Sequence, residues 1–147
     1  MYKKVKNGDY ASSKHITCIV NHQDSYRRII INRDYKVKKY HIDFFVAGYK
    51  YNNGNDIIEI LSKNEPVNLI RENFNPYDPF ATALYIDYSI RIGYVPSIIS
   101  PLIAHKLEDK KNNVRAIIKN VKLDVDDECK IEIRLFIESN YNFKKNS

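Results

Sequence analysis

Residues Arg71 to Ile86 read RENFNPYDPFATALYI, and within them Asn75-Pro76-Tyr77-Asp78-Pro79 sets an aromatic ring and a carboxylate at the tip of a tight turn. Asn and Pro form such turns, and an Asp there can cap backbone N–H groups in an Asx-turn. Other chemistry-bearing residues come only as fragments. Cys18 and His22 have metal-like spacing but no second pair at ligand distance. Asp124, Asp126, Asp127 and Glu128 lack the glycine and length of a calcium loop and read as a charged hairpin turn. Glu128-Cys129-Lys130 matches the E-x-K half of a metal-dependent nuclease site, which an upstream acid such as Asp78 or Asp87 would complete; the plainer reading is a strand-entry Glu. Spacing picks out no G-x-S-x-G, no glycine-rich phosphate loop and no Ser/His/Asp set, and four glycines in all leave little material for a phosphate cradle.

The elements that position these residues follow from hydrophobic period. Tyr40, Ile42, Phe44 and Val46 alternate with His41, Asp43 and Phe45, predicting a strand that ends at Gly48. Asn52-Asn53-Gly54 is a turn, and Ile57, Ile58, Ile60 and Leu61 behind Asn55 and Asp56 predict a short helix stopped before Pro66. Val67 with Leu69, Ala83 to Ile86, and Arg91 to Val95 read as three more strands. Ile99, Leu102, Ile103 and Leu107 then repeat at helical spacing, with Ser97 after Pro96 as the start and Glu108-Asp109-Lys110-Lys111 as the exit. Val114 to Val125 and Cys129 to Ile137 close the chain as a hairpin whose second strand is half-buried. Ile16 to Val20 and Arg28 to Ile31, around His22-Gln23-Asp24-Ser25, read as a second hairpin. The fold class expected is mainly β with α, a domain of short strands with one substantial and one short helix.

A chain of 147 residues with 44% hydrophobic content suits one domain with a real core. No apolar run reaches the ~20 residues that span a bilayer. The opening Met-Tyr-Lys-Lys-Val-Lys lacks a signal peptide's apolar stretch. A cytoplasmic protein with no membrane partner is expected. Cys18 and Cys129 read as free thiols. Net charge is +6, and residues 1–39 hold ten Lys/Arg against three acids whereas residues 40–147 hold fourteen against fifteen. That division marks a basic extension over 1–39, a domain over 40–138 and a flexible Asn/Lys-rich tail over 139–147. Arg27, Arg28, Lys36, Lys38 and Lys39 of the extension are candidate phosphate contacts; a solvated basic flank is the other reading.

Three turns remain, Gly48-Tyr49-Lys50-Tyr51, Asn75-Pro76-Tyr77-Asp78 and Ile92-Gly93-Tyr94-Val95-Pro96. With Val46-Ala47-Gly48, Leu69-Ile70-Arg71-Glu72, Ala81, Ala83 and the helix that follows, their order resembles that of a HIRAN domain over about Tyr40 to Glu138. That family is a modified OB-like β-barrel, found at the N-terminus of some Swi/Snf-type fork-remodelling ATPases and alone in many bacterial proteins. The resemblance implies non-catalytic binding of single-stranded DNA at a free 3′ end, with no cofactor, a place in DNA repair and a DNA-processing protein as candidate partner.

On that resemblance Tyr77 and Asp78 match an end-reading pair, Tyr51 a stacking tyrosine, Lys50 the place of a phosphate-contacting arginine, and Tyr94 a position that is histidine in some members. A carboxylate beside a polyanion is repelled unless it meets a donor, and a strand's end offers the 3′-hydroxyl. Lysine at 50 keeps the charge but loses the bidentate fork, and the acidic turn Asp124 to Glu128 stands where DNA-binding relatives place an aromatic. An adaptor module that keeps the fold for protein partners is the alternative, and a small Mg²⁺ nuclease is a more distant one. Plainer roles also stand: Gly48 and Gly93 serve backbone geometry, Arg71 and Glu72 form a structural pair, and the tyrosines plug a barrel end.

Overall fold

The computed structural model describes residues 2–4, 15–20, 29–34 and 39–139. Nine strands and one α-helix are present among them: β1 (Tyr2–Lys4), β2 (His15–Val20), β3 (Ile29–Asp34), β4 (Lys39–Phe45), β5 (Pro66–Arg71), β6 (Thr82–Ile86), β7 (Ile90–Tyr94), α1 (Ser100–Glu108), β8 (Asn112–Val121) and β9 (Ile131–Ser139). All ladders are antiparallel, in the order β1-β2-β3-β4-β9-β8-β5-β6-β7. The fold is mainly β with α, as the sequence predicts.

The period-two pattern dictates the core. β9 turns Ile131, Ile133, Leu135 and Ile137 inward while Glu132, Arg134 and Glu138 face out, and β4 adds Ile42 and Phe44 to the same layer. α1 brings Ile103 and Ala104 against β6 and β8, closing that core from one side. Ile29 at the start of β3 is only 1% exposed and belongs to the same core, and β3 pairs with β4 from Ile30 opposite Asp43 to Asp34 opposite Lys39. The turn around His22 to Ser25, the tail over 140–147, and Arg27, Arg28, Lys36 and Lys38 lie outside the described residues; Lys39 is exposed at the start of β4.

The ladder order is open, and one isolated bridge ties its far parts together. After β4, Val46 N–H still donates to Ile131 of β9 at 3.0 Å, but the next residue turns away. Ala47 and Tyr94 exchange both backbone hydrogen bonds at 2.9 Å, so the end of β4 meets the end of β7. The closure expected of a barrel is reduced to this pair. It requires Gly93, whose φ of 152° disfavours a side chain and whose added Cβ would stand 2.3 Å from Val46 Cγ1 and 2.5 Å from Ala47 O.

Several boundaries differ from the sequence expectation, β4 ending at Phe45 rather than Gly48 among them, and three have a clear local reason. The short helix expected over 57–61 is instead the 3₁₀ turn Ile58–Ile60, the last of a train that begins with Tyr49–Tyr51 and Gly54–Asp56. The break at Ile57 lets the adjacent Ile57 and Ile58 both reach the core, and Asn53 N–H is drawn out to Arg91 O at 2.9 Å. The helix expected to start at Ser97 starts at Ser100, with Pro101 in its first turn, where a missing N–H costs nothing. β8 ends at Val121 and β9 begins at Ile131, because Asp127–Cys129 coil into a 3₁₀ turn. Among the described residues no helix is long and apolar enough to cross a membrane.

On the outer face Asp43, 2% exposed, accepts from Arg134 Nε at 2.8 Å and Nη2 at 2.9 Å and from Lys119 Nζ at 2.9 Å. Burial pushes its carboxyl up, but these donors outweigh it and hold the pKa below the usual value. A depressed folded pKa contributes stability that is full above the unfolded carboxylate value, about 3.9, and vanishes as pH falls through the folded one. Asp43→Asn therefore lowers neutral-pH stability by on the order of 1–3 kcal/mol and flattens the acid limb below about pH 4, read by urea midpoints across pH. Partial exposure of both cations keeps the loss within that range. Gly93→Ala lowers the urea midpoint by an amount equivalent to roughly 2–4 kcal/mol; an unchanged midpoint would mean the bridge is not under steric constraint.

Candidate functional site

Gly48 begins the site. Its φ of 68° turns the chain out of the Ala47 bridge into the 3₁₀ turn Tyr49–Tyr51, and Asn52 Nδ2 donates back to Gly48 O at 2.7 Å. Tyr49 points inward, 1% exposed, with its hydroxyl donating to Asn55 Oδ1 at 2.7 Å. Burial and the charges of Asp127 and Asp56 push that phenol up to about 12, so it stays neutral. Tyr51, one turn on, points outward and is 78% exposed.

The second turn is held by its own side chains. Asn75 Oδ1 accepts from the N–H groups of Tyr77 at 2.9 Å and Asp78 at 3.1 Å, while Asn75 Nδ2 donates to Glu72 Oε1 at 3.0 Å. Asp78 Oδ1 accepts from Phe80 N–H at 2.9 Å, and Asp78 Oδ2 accepts from Ser100 Oγ at 2.6 Å. The carboxylate is thus half-buried at the first turn of α1, where the helix dipole favours an anion. Arg71 clamps the same turn, donating from Nη1 to Ala81 O and from Nη2 to Asn73 Oδ1 at 2.8 Å and Pro79 O at 3.2 Å. Tyr77 and Phe74 are left in solvent, 95% and 98% exposed.

The third turn supplies Tyr94, whose backbone makes the bridge to Ala47 while its hydroxyl donates to Glu72 Oε1 at 2.9 Å. Burial, then that hydrogen bond, holds the phenol above its ordinary value. Arg91 lies 5.4 Å from the Tyr94 ring centroid, donates from Nε to Asn52 Oδ1, and has Nη1 3.6 Å from Glu72 Oε2.

These three turns line one open cleft of about 1120 Å³, in which Tyr51, Tyr77, Asp78 and Tyr94 all take part. Lys50 does not line it. That side chain is exposed, its ammonium lies 5.1 Å from the Tyr51 ring centroid, and its pKa is raised by the hydrogen bond and charge of Tyr51 and then by Glu128. The lining residues that carry charge are Arg71, Glu72, Asp78 and Arg91, two of each sign. With exposed rings at its rim, the cleft can stack flat apolar groups and offer acceptors at its floor, but it exerts little net pull on an anion.

Arg71 and Glu72 are not the structural pair the sequence suggests, because each is engaged by different partners. Arg71 secures the turn, and Glu72 joins Asn75, Arg91 and Tyr94 across the cleft. Sequence reading also missed Phe74 and Arg91; the available signals were an apolar residue inside a polar turn and a cation two positions before Gly93. Glu128 lies in the Asp127–Cys129 turn, Lys130 Nζ is 3.2 Å from Asp127 Oδ1, and Asp87 sits in the exposed β6–β7 turn at a φ of 52°. Neither Glu128, Lys130 nor Asp87 lines the cleft with Asp78. Among the described residues no group of three or more His, Cys, Asp or Glu gathers as a metal site.

A search of curated proteins finds no significant match. Among solved structures the chain is similar to the crystal structure of the HIRAN domain of human HLTF, at a TM-score of 0.56 and 17% identity over 72% of this chain and 81% of that one. It is also similar to a structural-genomics protein from Lactobacillus plantarum, at a TM-score of 0.52 and 21% identity over 68% of this chain and 98% of that one. At these identities the two likenesses speak for the fold. The family model of the HIRAN domain matches residues 39–140, more than half of the 147, and the chain therefore belongs to the HIRAN domain family.

Proposed function

We propose that this protein is a non-catalytic nucleic-acid-binding module that captures the free 3′-hydroxyl end of single-stranded DNA in the cleft between its three turns. The family it belongs to, a family of DNA-binding modules, supports the general activity. The observation that carries the specific reading is the setting of Asp78: a fixed carboxylate lining the same cleft as solvent-exposed Tyr51 and Tyr77, with formal charges that cancel. A carboxylate offers about four lone-pair positions, and Phe80 N–H and Ser100 Oγ occupy two. The remaining acceptor capacity suits a hydroxyl donor. A 3′-phosphate lacks that donor and brings negative charge to an acid, which turns attraction into repulsion. Rings that stack a base contribute ~1–3 kcal/mol each without regard to sequence.

Long-range attraction comes from elsewhere, since the cleft has no net charge of its own. The basic residues of the first 39 positions, Arg27, Arg28, Lys36, Lys38 and Lys39 among them, serve as the nonspecific phosphate contacts in this reading. Because β3 is paired to β4 and Ile29 is in the core, the arm's contribution is tested by substituting charges rather than by deleting strands.

Two outcomes are expected. In anisotropy titrations with a ten-nucleotide strand labelled at its 5′ end, the 3′-hydroxyl form binds about tenfold or more tightly than the 3′-phosphate form. Asp78→Asn brings that ratio toward one by removing the repelling charge; equal binding of both forms by the unmodified protein contradicts end capture. Replacing Lys36, Lys38 and Lys39 by Gln weakens binding to every strand and shallows the log–log salt dependence by up to about 0.7 for each phosphate no longer neutralised, while the hydroxyl preference persists. An unchanged salt slope would place the electrostatic contacts outside these lysines.

A further inference from the structure

The cleft holds two cations, Arg71 and Arg91, and they are differently committed. Arg71 spends its Nη1 and Nη2 groups on Ala81 O, Asn73 Oδ1 and Pro79 O, and so holds the turn that carries Tyr77 and Asp78. Arg91 is anchored from one side only. Its Nε donates to Asn52 Oδ1, its Nη1 lies 3.6 Å from Glu72 Oε2, and its Cζ lies over the Tyr94 ring, 5.4 Å from the centroid. No hydrogen bond from its Nη2 is present among the described residues, and the side chain is 39% exposed. A guanidinium oriented by an amide, a carboxylate and a ring, with its Nη2 group still unpaired, is arranged to donate to an oxyanion.

Lys50 is placed otherwise. It stands outside the cleft lining, its ammonium lies beside Tyr51, and the carboxylates Glu128 and Asp127 contribute to its field. A phosphate approaching Lys50 also meets that acidic turn, so the net attraction there is reduced.

Resting on the strand-end reading, we infer that Arg91, and not Lys50, is the residue that takes a backbone phosphodiester of the strand inside the cleft. Asp78 and Arg91 then divide the ligand by its chemistry, the acid at the terminal hydroxyl donor and the cation at an internal phosphate. Glu72 acts as the positioning residue for Arg91 and fixes Tyr94 through the same carboxylate. The arrangement requires at least one internal phosphodiester, so a mononucleoside cannot satisfy both residues.

The test varies the ligand's charge rather than the protein's alone. Ten-nucleotide strands with a free 3′-hydroxyl carry one neutral methylphosphonate linkage, moved through the three linkages nearest the 3′ end. One position is expected to weaken binding to the unmodified protein about fivefold or more. Arg91→Gln should be insensitive to the neutral linkage at that position, whereas Lys50→Gln should remain fully sensitive. Arg91→Gln leaves Glu72 without its cation in the cleft, so Arg91→Gln with Glu72→Gln is measured beside it and should show the same insensitivity. Sensitivity surviving in both Arg91 variants, sensitivity abolished by Lys50→Gln, or no sensitive position at all overturns the assignment. Because Lys50 is exposed, its variant reports even if Arg91 variants unfold. Hydroxyl-over-phosphate preference with no sensitive linkage leaves end capture standing and removes only Arg91's role; failure of any strand to bind the unmodified protein removes both.

Discussion

Two backbone hydrogen bonds between Ala47 and Tyr94 hold the site in one piece. In the strand order alone β4 and β7 lie far apart along an open ladder; the bridge brings their ends together, and the hydrogen bonds from Asn53 N–H to Arg91 O and from Arg91 Nε to Asn52 Oδ1 hold the first turn beside it. The approach is close enough that only a residue without a side chain fits at 93. Gly93 and Gly48 flank the bridge on its two strands, one allowing the contact and the other sending the chain away from it toward Tyr51. Fold closure and site assembly are therefore the same event. Glu72 extends it, tying the second turn to the third through Asn75, Tyr94 and Arg91.

Much of the scaffold was legible because period-two alternation is a direct projection of one buried face. Ile131, Ile133, Leu135 and Ile137 announce β9, and Ile42 with Phe44 announces β4, without knowledge of their neighbours. The 3₁₀ train between Gly48 and Pro66 was not legible, since it answers to tertiary demands on Ile57, Ile58 and Asn53 that no local pattern records. Within the site, Tyr51, Tyr77, Asp78 and Tyr94 were picked out by turn residues and family resemblance, and the cleft gathers them. Lys50 stands apart because a turn residue's charge says nothing of which way its side chain leaves. Glu72 and Arg91 are nineteen positions apart in sequence and meet only through the β5-β6-β7 meander, so their pairing is a property of the sheet.

At Asp78 the structural role and the proposed ligand-binding role need not compete. The hydrogen bonds from Phe80 and Ser100 that make it a turn-forming residue also fix its carboxylate and leave lone pairs unused. Pre-positioning lowers the ordering cost of a single added hydrogen bond, which is what a selector for one hydroxyl needs. In the proposed function the cancelled charges of the cleft serve the same selectivity, because a strongly positive pocket would hold any phosphate and read no end. That proposal assigns attraction and selection to different parts of the chain, the basic first quarter and the nearly neutral remainder.

In the proposed function a strand's end sits where the three turns converge. Amide chemical-shift mapping of the ¹⁵N-labelled full chain, titrated with a short 3′-hydroxyl strand, tests that placement directly. The account predicts the largest perturbations at residues 48–52, 72–78 and 91–97, with the Asp124 to Glu128 turn little changed. Perturbations confined to residues 1–39, with those three turns silent at saturation, would contradict it.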